Sequence, residues 1–336
     1  MNFDLSDDEV ALRDGIRALC EGRFPMKRVR AGIRALCEGR FPMKRVRAGF
    51  DRAVWQELAE AGVFSLRSDG FGVTDAAIVF EELGRALVPG PLVWGLLANG
   101  HVDGLIGGIE PERDGPLLVE HLEQLDTLLV LDGRGVGALP ASTLHGTPVV
   151  RPLDPLTPVH RVDDLRRGDR GGGWGVGRGP ELVGEWRRDG AVLTAAYLVG
   201  MASACADLSV AYAKERQQFD RPIGSFQAVK HMLADMAVRT EVARAAVHAS
   251  ACECDDTSGV APGETAVRAV AGAKLLAGEA AIANGRAATQ VHGGMGFTWE
   301  VDVHLYLKRA WVLDTAFGSR DQHATALADY LTVTTG

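Results

Sequence analysis

Residues 191–216, AVLTAAYLVGMASACADLSVAYAKER, are apolar on nearly every side of a helical wheel. A helix with no polar face needs other elements around most of its circumference. Three more long helical patterns follow in 225–253, 263–292 and the pair 301–315 and 319–333. Joined by short connections, they predict an antiparallel helical bundle with 191–216 at its centre. Their many alanines and glycines permit close approach, and so much apolar surface predicts oligomerisation.

The N-terminal third, up to about residue 108, is also helical in pattern. Ser6 is a candidate N-cap followed by acidic residues. Trp55, Leu58 and Ala59 continue an apolar stripe, and 75–88 gives a helix containing Gly84 before Pro89 and Pro91 break the chain. Between about 115 and 165 the period changes to short β-type runs punctuated by Gly, Pro and Asp. The expected organisation is a helical domain over 1–110, a truncated β-domain over 111–167, a Gly-rich connection over 168–182 and a bundle over 183–336. The connection, GDRGGGWGVGRGP at 168–180, contains a GxGxxG-like spacing. It lacks the preceding buried strand and following helix of a dinucleotide fingerprint.

The segment GIRALCEGRFPMKRVRA occurs at 15–31 and again, letter for letter, at 32–48. Pro25 and Pro42 prevent the copies from forming one helix. One copy is expected to be a bulge or loop extension, and the basic cluster it doubles to be solvated surface.

With 46% hydrophobic and 24% charged residues the chain has ordinary globular composition. Its net charge of −8 argues against nucleic acid or an anionic membrane as principal partner. No window reaches about 18 uninterrupted apolar residues, and the acidic start MNFDLSDDEV lacks a secretory layout. The five cysteines form no disulfide framework or paired CxxC pattern. These features place the chain in a reducing cytoplasm, with no metal site.

Two stretches concentrate polar groups and backbone donors at helix ends, which suits an anionic ligand. One is ERQQFDRPIGSFQAVKHMLADM, 215–236; the other is QVHGGMGF, 290–297. At this spacing they resemble the C-terminal domain of the acyl-CoA dehydrogenases, flavoenzymes that desaturate acyl-CoA thioesters. The resemblance extends to the WQELAEAGVFSL and EELGRALVPGPL helices, the later strands and the bundle. It implies a mainly α fold with a small β-unit: an N-terminal helical domain, a truncated β-domain and a C-terminal four-helix bundle. It further implies that Arg216 pairs with the pyrophosphate of FAD, that Gln218 and Phe219 line its adenosine, with Gln227 beside them, and that Gln290, Gly293 and Gly294 offer backbone to it. In the family these stretches serve largely a neighbouring subunit's flavin.

Two family features are missing. The family's base is usually a glutamate directly before a glycine in the penultimate bundle loop, where this chain has Phe317. Members that carry it on the first bundle helix place it near Gly190, next to Asp189. Asp189 and Asp314 are the remaining candidate bases. The flavin-ring segments of the β-domain are also absent between 90 and 130. The combination resembles the smaller, glutamate-lacking subunit of actinobacterial α2β2 steroid-CoA-type acyl-CoA dehydrogenases. A larger homologous partner would then supply the base, the flavin-ring pocket and most of the acyl-CoA site, and this chain would be inactive alone. The alternatives are a self-sufficient homo-oligomeric dehydrogenase using Asp189 or Asp314, and a structural subunit without flavin.

Overall fold

The computed structural model describes residues 34–111, 117–163, 176–255 and 264–334. Ser6, the first repeat copy and residues 168–175 of the expected connection lie outside them. The fold is predominantly helical, with a small β region and a C-terminal bundle, as the residue patterns and the resemblance imply.

The second repeat copy is part of the packed structure. It forms helices α1 (34–40) and α2 (Met43–Arg47), parted at Pro42. Cys37, Phe41 and Val46 are buried, and Arg34 grips the buried carboxylate of Glu82 through two hydrogen bonds of 2.9 and 2.8 Å. Its basic cluster departs from the expected solvated surface. Arg45 pairs with Glu57 at 3.0 Å, and Arg47 with Asp302 at 2.6 Å. Carboxylates brought from other elements engage these cations, which local sequence could not reveal.

Helix α3 (Arg52–Glu60) starts at Asp51, whose carboxylate accepts from the Val54 N–H at 2.8 Å. Helix α4 (Val73–Arg85) is capped from afar: Asp255, 182 positions beyond Val73, accepts from the N–H groups of Val73 and Thr74 at 2.6 and 2.8 Å. These bonds satisfy donors that a helix start leaves without partners. Helix α5 (Leu92–Ala98) follows the proline break.

Two small sheets come next. In the first, β1 (Ile106–Ile109) runs parallel to β3 (Thr127–Asp132), which pairs antiparallel with β4 (Gly135–Pro140) and so leads to β7 (Gly177–Arg178). In the second, β2 (Leu117–Glu120), β6 (Val159–Val162) and β5 (Thr147–Pro148) are antiparallel. The β region thus begins before the expected boundary at 111. Gly108 makes this possible, because a Cβ there would overlap the Trp94 indole that α5 lays across the strand.

Helix α6 (Pro180–Glu215) is longer than the apolar run that announced it. It starts inside the expected connection 168–182, which is a correction to that boundary. Proline suits a first helical position, and Gly177–Arg178 adds an edge strand to β4. By length and composition α6 passes as a membrane span, but 78% of its most apolar window is buried by the surrounding fold. Around it stand α4, α7 (Gln227–Asp255), α8 (Glu264–His292) and α9 (Val303–Leu313), with α10 (Arg320–Thr334) against α8. Helices α4 and α6 cross backbone to backbone. A Cβ on Gly84 would overlap the Tyr197 carbonyl, and one on Gly200 the Glu81 carbonyl.

Candidate functional site

At its C-terminal end α6 stops at Arg216, whose backbone turns extended and whose carbonyl accepts from the Ile223 N–H at 2.8 Å. A two-residue hairpin follows, with Gln217 opposite Pro222 and Gln218 opposite Arg221. Its central residues, Phe219 and Asp220, have φ of 52° and 59°. That is the left-handed pair a tight hairpin demands, here without glycine. The turn holds the Phe219 ring 86% exposed, while the Arg221 guanidinium lies 4.1 Å over the Phe226 ring.

The glycine-rich stretch meets the last turn of α6 through Tyr212, which stacks on His292 at 4.2 Å and donates to Met295 Sδ at 4.0 Å. Its three glycines have different roles. Gly296 is buried packing, since a Cβ there would overlap the Thr289 carbonyl. Gly293 has φ of 63°, and both Gly293 and Gly294 have open space where a Cβ would project. Arg216, Gln218, Phe219, Gln227, Gln290, Gly293 and Gly294 are all exposed, and among the described residues no ion pair engages Arg216. Arg216 is thus an exposed cation without an ion pair, and Gly293–Gly294 is exposed bare backbone, each suited to a phosphate group carried on something else. The ADP portion of FAD fits it.

The second region lies where a base would be sought. Phe317 has φ of 53° and is followed by Gly318 at 101°. Three bonds fix this loop: Lys274 Nζ donates to the Leu313 and Asp314 carbonyls at 3.1 and 3.0 Å, and His323 Nε2 sits 3.0 Å from the Phe317 carbonyl. Burial pulls the Lys274 pKa down to about 8. The Phe317 ring, 5% exposed, packs on Trp94 at 4.7 Å. It also lies over Gly190, where a Cβ would overlap its edge. The two chain positions at which the family is expected to carry its glutamate are therefore in contact, and neither bears a carboxylate.

The two aspartates are placed elsewhere. Asp189 is buried and paired with Arg67 and with Arg188 Nε, the latter at 3.4 Å. Burial pushes its pKa up, against the pull of both arginines. Asp314 turns toward α8, where a Cβ on Gly278 would overlap its Oδ1, and lies 3.7 Å from Arg320 Nε. Neither lines the cavity of about 680 Å³ that opens beside Phe317.

That cavity is bounded by α5, the ends of β1 and β2, residues 149–154, α6 and residues 309–317. In its wall Arg309 forms a buried ion pair with Asp154 and reaches the Tyr197 hydroxyl at 3.3 Å, which itself donates to the Val88 carbonyl at 2.8 Å. Sequence reading singled out none of Lys274, Arg309, Asp154, Trp94 or Thr194. A lone Lys in AVAGAKLLAG and a lone Arg in LYLKRAWV were the available signals for two of them.

The sequence profile described as the acyl-CoA dehydrogenase C-terminal domain matches residues 177–332. The chain is 33% identical to acyl-CoA dehydrogenase IpdE2 of Mycolicibacterium smegmatis over 324 residues, covering 91% of this chain and 93% of that one. It is 34% identical to the Mycobacterium tuberculosis protein of the same name, over 78% of this chain and 81% of that one. In fold it superposes on a chain of the ChsE4–ChsE5 complex of Mycobacterium tuberculosis with a TM-score of 0.76 at 20% identity, over 99% of both chains. Full-length similarity above 30% identity, joined to the bundle and its two glycine- and arginine-bearing ends, makes this chain a member of the acyl-CoA dehydrogenase family.

Proposed function

We propose that this chain is the non-catalytic subunit of a heteromeric, FAD-dependent acyl-CoA dehydrogenase. It lends Arg216, Gln218, Phe219, Gln227, Gln290 and the Gly293–Gly294 backbone to a flavin whose ring is held by a larger homologous chain, in an α2β2 assembly. When bound, FAD supplies the acceptor for the hydride that leaves the thioester's β-carbon. This chain's residues bind and orient the ADP portion. The proton at the α-carbon finds no acceptor at either expected base position, Phe317 or Gly190.

One observation carries the reading. Phe317 and Gly190 meet where a glutamate would be, and both flanking aspartates are occupied elsewhere. The likeness to the ChsE4–ChsE5 complex supports a partner subunit. A sterol-derived CoA ester as substrate rests on a further fold likeness, to the Tcur3481–Tcur3483 steroid acyl-CoA dehydrogenase, with a TM-score of 0.75 at 20% identity.

The test is Arg216→Ala in the co-purified complex. Flavin content is expected to fall while subunit association survives, since a charge-assisted contact is worth about 1.5–3 kcal/mol, or roughly 10- to 150-fold in affinity. Stoichiometric FAD on the chain purified alone, or flavin retention unchanged by Arg216→Ala, would remove the basis for the proposal.

A further inference from the structure

Helices α1 and α2 lie in a seat whose ion-pair partners come from outside the repeat. Glu82 of α4 takes Arg34 at 2.9 and 2.8 Å, Glu57 of α3 takes Arg45 at 3.0 Å, and Asp302, just ahead of α9, takes Arg47 at 2.6 Å. Among these pairs Cys37, Phe41 and Val46 are buried. The seat ends at Gly49, whose φ is 88° and whose N–H donates to the Val46 carbonyl at 2.9 Å. A side chain would be strained in that left-handed backbone, so whatever segment fills the seat must be followed by glycine.

The chain meets every one of these requirements twice. Arg17, Cys20, Phe24, Arg28, Val29 and Arg30 stand in the first copy where Arg34, Cys37, Phe41, Arg45, Val46 and Arg47 stand in the second. The identity also runs one residue past the repeat, since Gly32 follows the first copy as Gly49 follows the second. A site tells two segments apart only by a difference in their contacts, and here the contact residues are the same. Close packing around Phe41 and Val46 lets the seat hold one copy at a time.

We propose that this seat is a docking site for either repeat copy, so that residues 17–31 exchange with 34–48 on it and the chain interconverts between two registers of one fold. In the exchanged register Gly32 takes the left-handed position, and residues 33–49 bridge it to Phe50. Closing a loop of 17 residues lowers that population by on the order of 100-fold. A minor state of that size is brought forward by any larger handicap on the second copy.

The experiment marks the copies and follows their thiols. Burial pushes the Cys37 thiol up to about 12, so a seated cysteine resists a maleimide while an unseated one reacts. Cleavage after Glu9, Glu21 and Glu38 leaves Cys20 and Cys37 in peptides of different mass. Phe41→Ala with Val46→Asp handicaps the second copy by at least about 10⁴-fold, which exceeds the loop cost. In the full chain carrying this pair, Cys37 should become reactive and the labelling rate of Cys20 should fall about tenfold or more. The mirror pair, Phe24→Ala with Val29→Asp, should leave Cys37 protected and Cys20 reactive. All four changes together should expose both thiols.

Thermal unfolding gives a second readout. Phe41→Ala with Val46→Asp should lower Tm by several degrees more in a chain lacking 15–31 than in the full chain, because only the full chain holds a spare copy. Cys20 labelling that is the same whether or not 34–48 is damaged, or an equal fall in Tm with and without 15–31, would overturn the proposal. Rescue that appears only as the protein is concentrated would seat a neighbouring chain's copy instead, and would overturn exchange within one chain.

Discussion

The contact between Phe317 and Gly190 carries most of the functional reading, and a double-mutant cycle measures it directly. Phe317→Ala removes a buried ring and should cost about 3–5 kcal/mol. Gly190→Ala has two opposing effects. Inside a helix the exchange gains about 0.8–1 kcal/mol of propensity. The new Cβ, however, falls more than about 1 Å inside van der Waals contact with the ring, and overpacking of that kind costs typically 1–3 kcal/mol. Gly190→Ala alone should thus be neutral to destabilising by about 2 kcal/mol. In the Phe317→Ala background the clash is gone and the methyl group fills part of the hole, so the same change should stabilise by about 1 kcal/mol. The expected coupling is about 1–3 kcal/mol, beyond the 0.3–0.5 kcal/mol within which independent sites add. Thermal unfolding of the four proteins, in the same assembly and at the same concentration, reads it. For a chain of 336 residues, 3 kcal/mol corresponds to a Tm shift of about 4 °C. Additive effects would mean that the ring does not lie on Gly190, and the argument that both base positions coincide would fail.

Two further outcomes follow from the packing. Deleting 15–31 or deleting 32–48 leaves the same sequence, and every contact described for the second copy survives in it, so Tm should change by no more than about 1 °C, the scale of ±0.5 kcal/mol; a fall of several degrees would show that the first copy supplies stability of its own. Lys274, with its folded pKa lowered to about 8 from 10.5, stays protonated longer in the unfolded chain. Stability should therefore climb as pH rises from about 8 to 10.5, by on the order of 3 kcal/mol from this group, and the gain is lost as pH falls back through the folded value. Lys274→Met should flatten that rise in denaturant titrations, and equal slopes for both proteins would contradict the burial argument.

The sequence by itself determined the kind of fold, because periodicity and composition are local properties. An all-round apolar run, long alanine-rich repeats at helical period and a β-type interlude leave few other arrangements. It also named two stretches at helix ends, one beginning just past Tyr212 and the other containing His292, on which Tyr212 stacks, since glycine and arginine at helix ends carry their chemistry wherever they sit. That neither expected glutamate position bears a carboxylate was legible only by likeness to the family, with Phe317 and Gly190 standing 127 positions apart in the chain.

Only the tertiary structure decided that those two positions touch, and that Asp189 and Asp314 are spent on arginines. The basic cluster of the repeat looked solvated because Glu57 and Asp302 come to it from elsewhere. The Arg309–Asp154 pair was invisible for the same reason. Burial, ion pairing and cavity shape are set by residues distant in sequence, and a single chain read along its length cannot say which of them will meet.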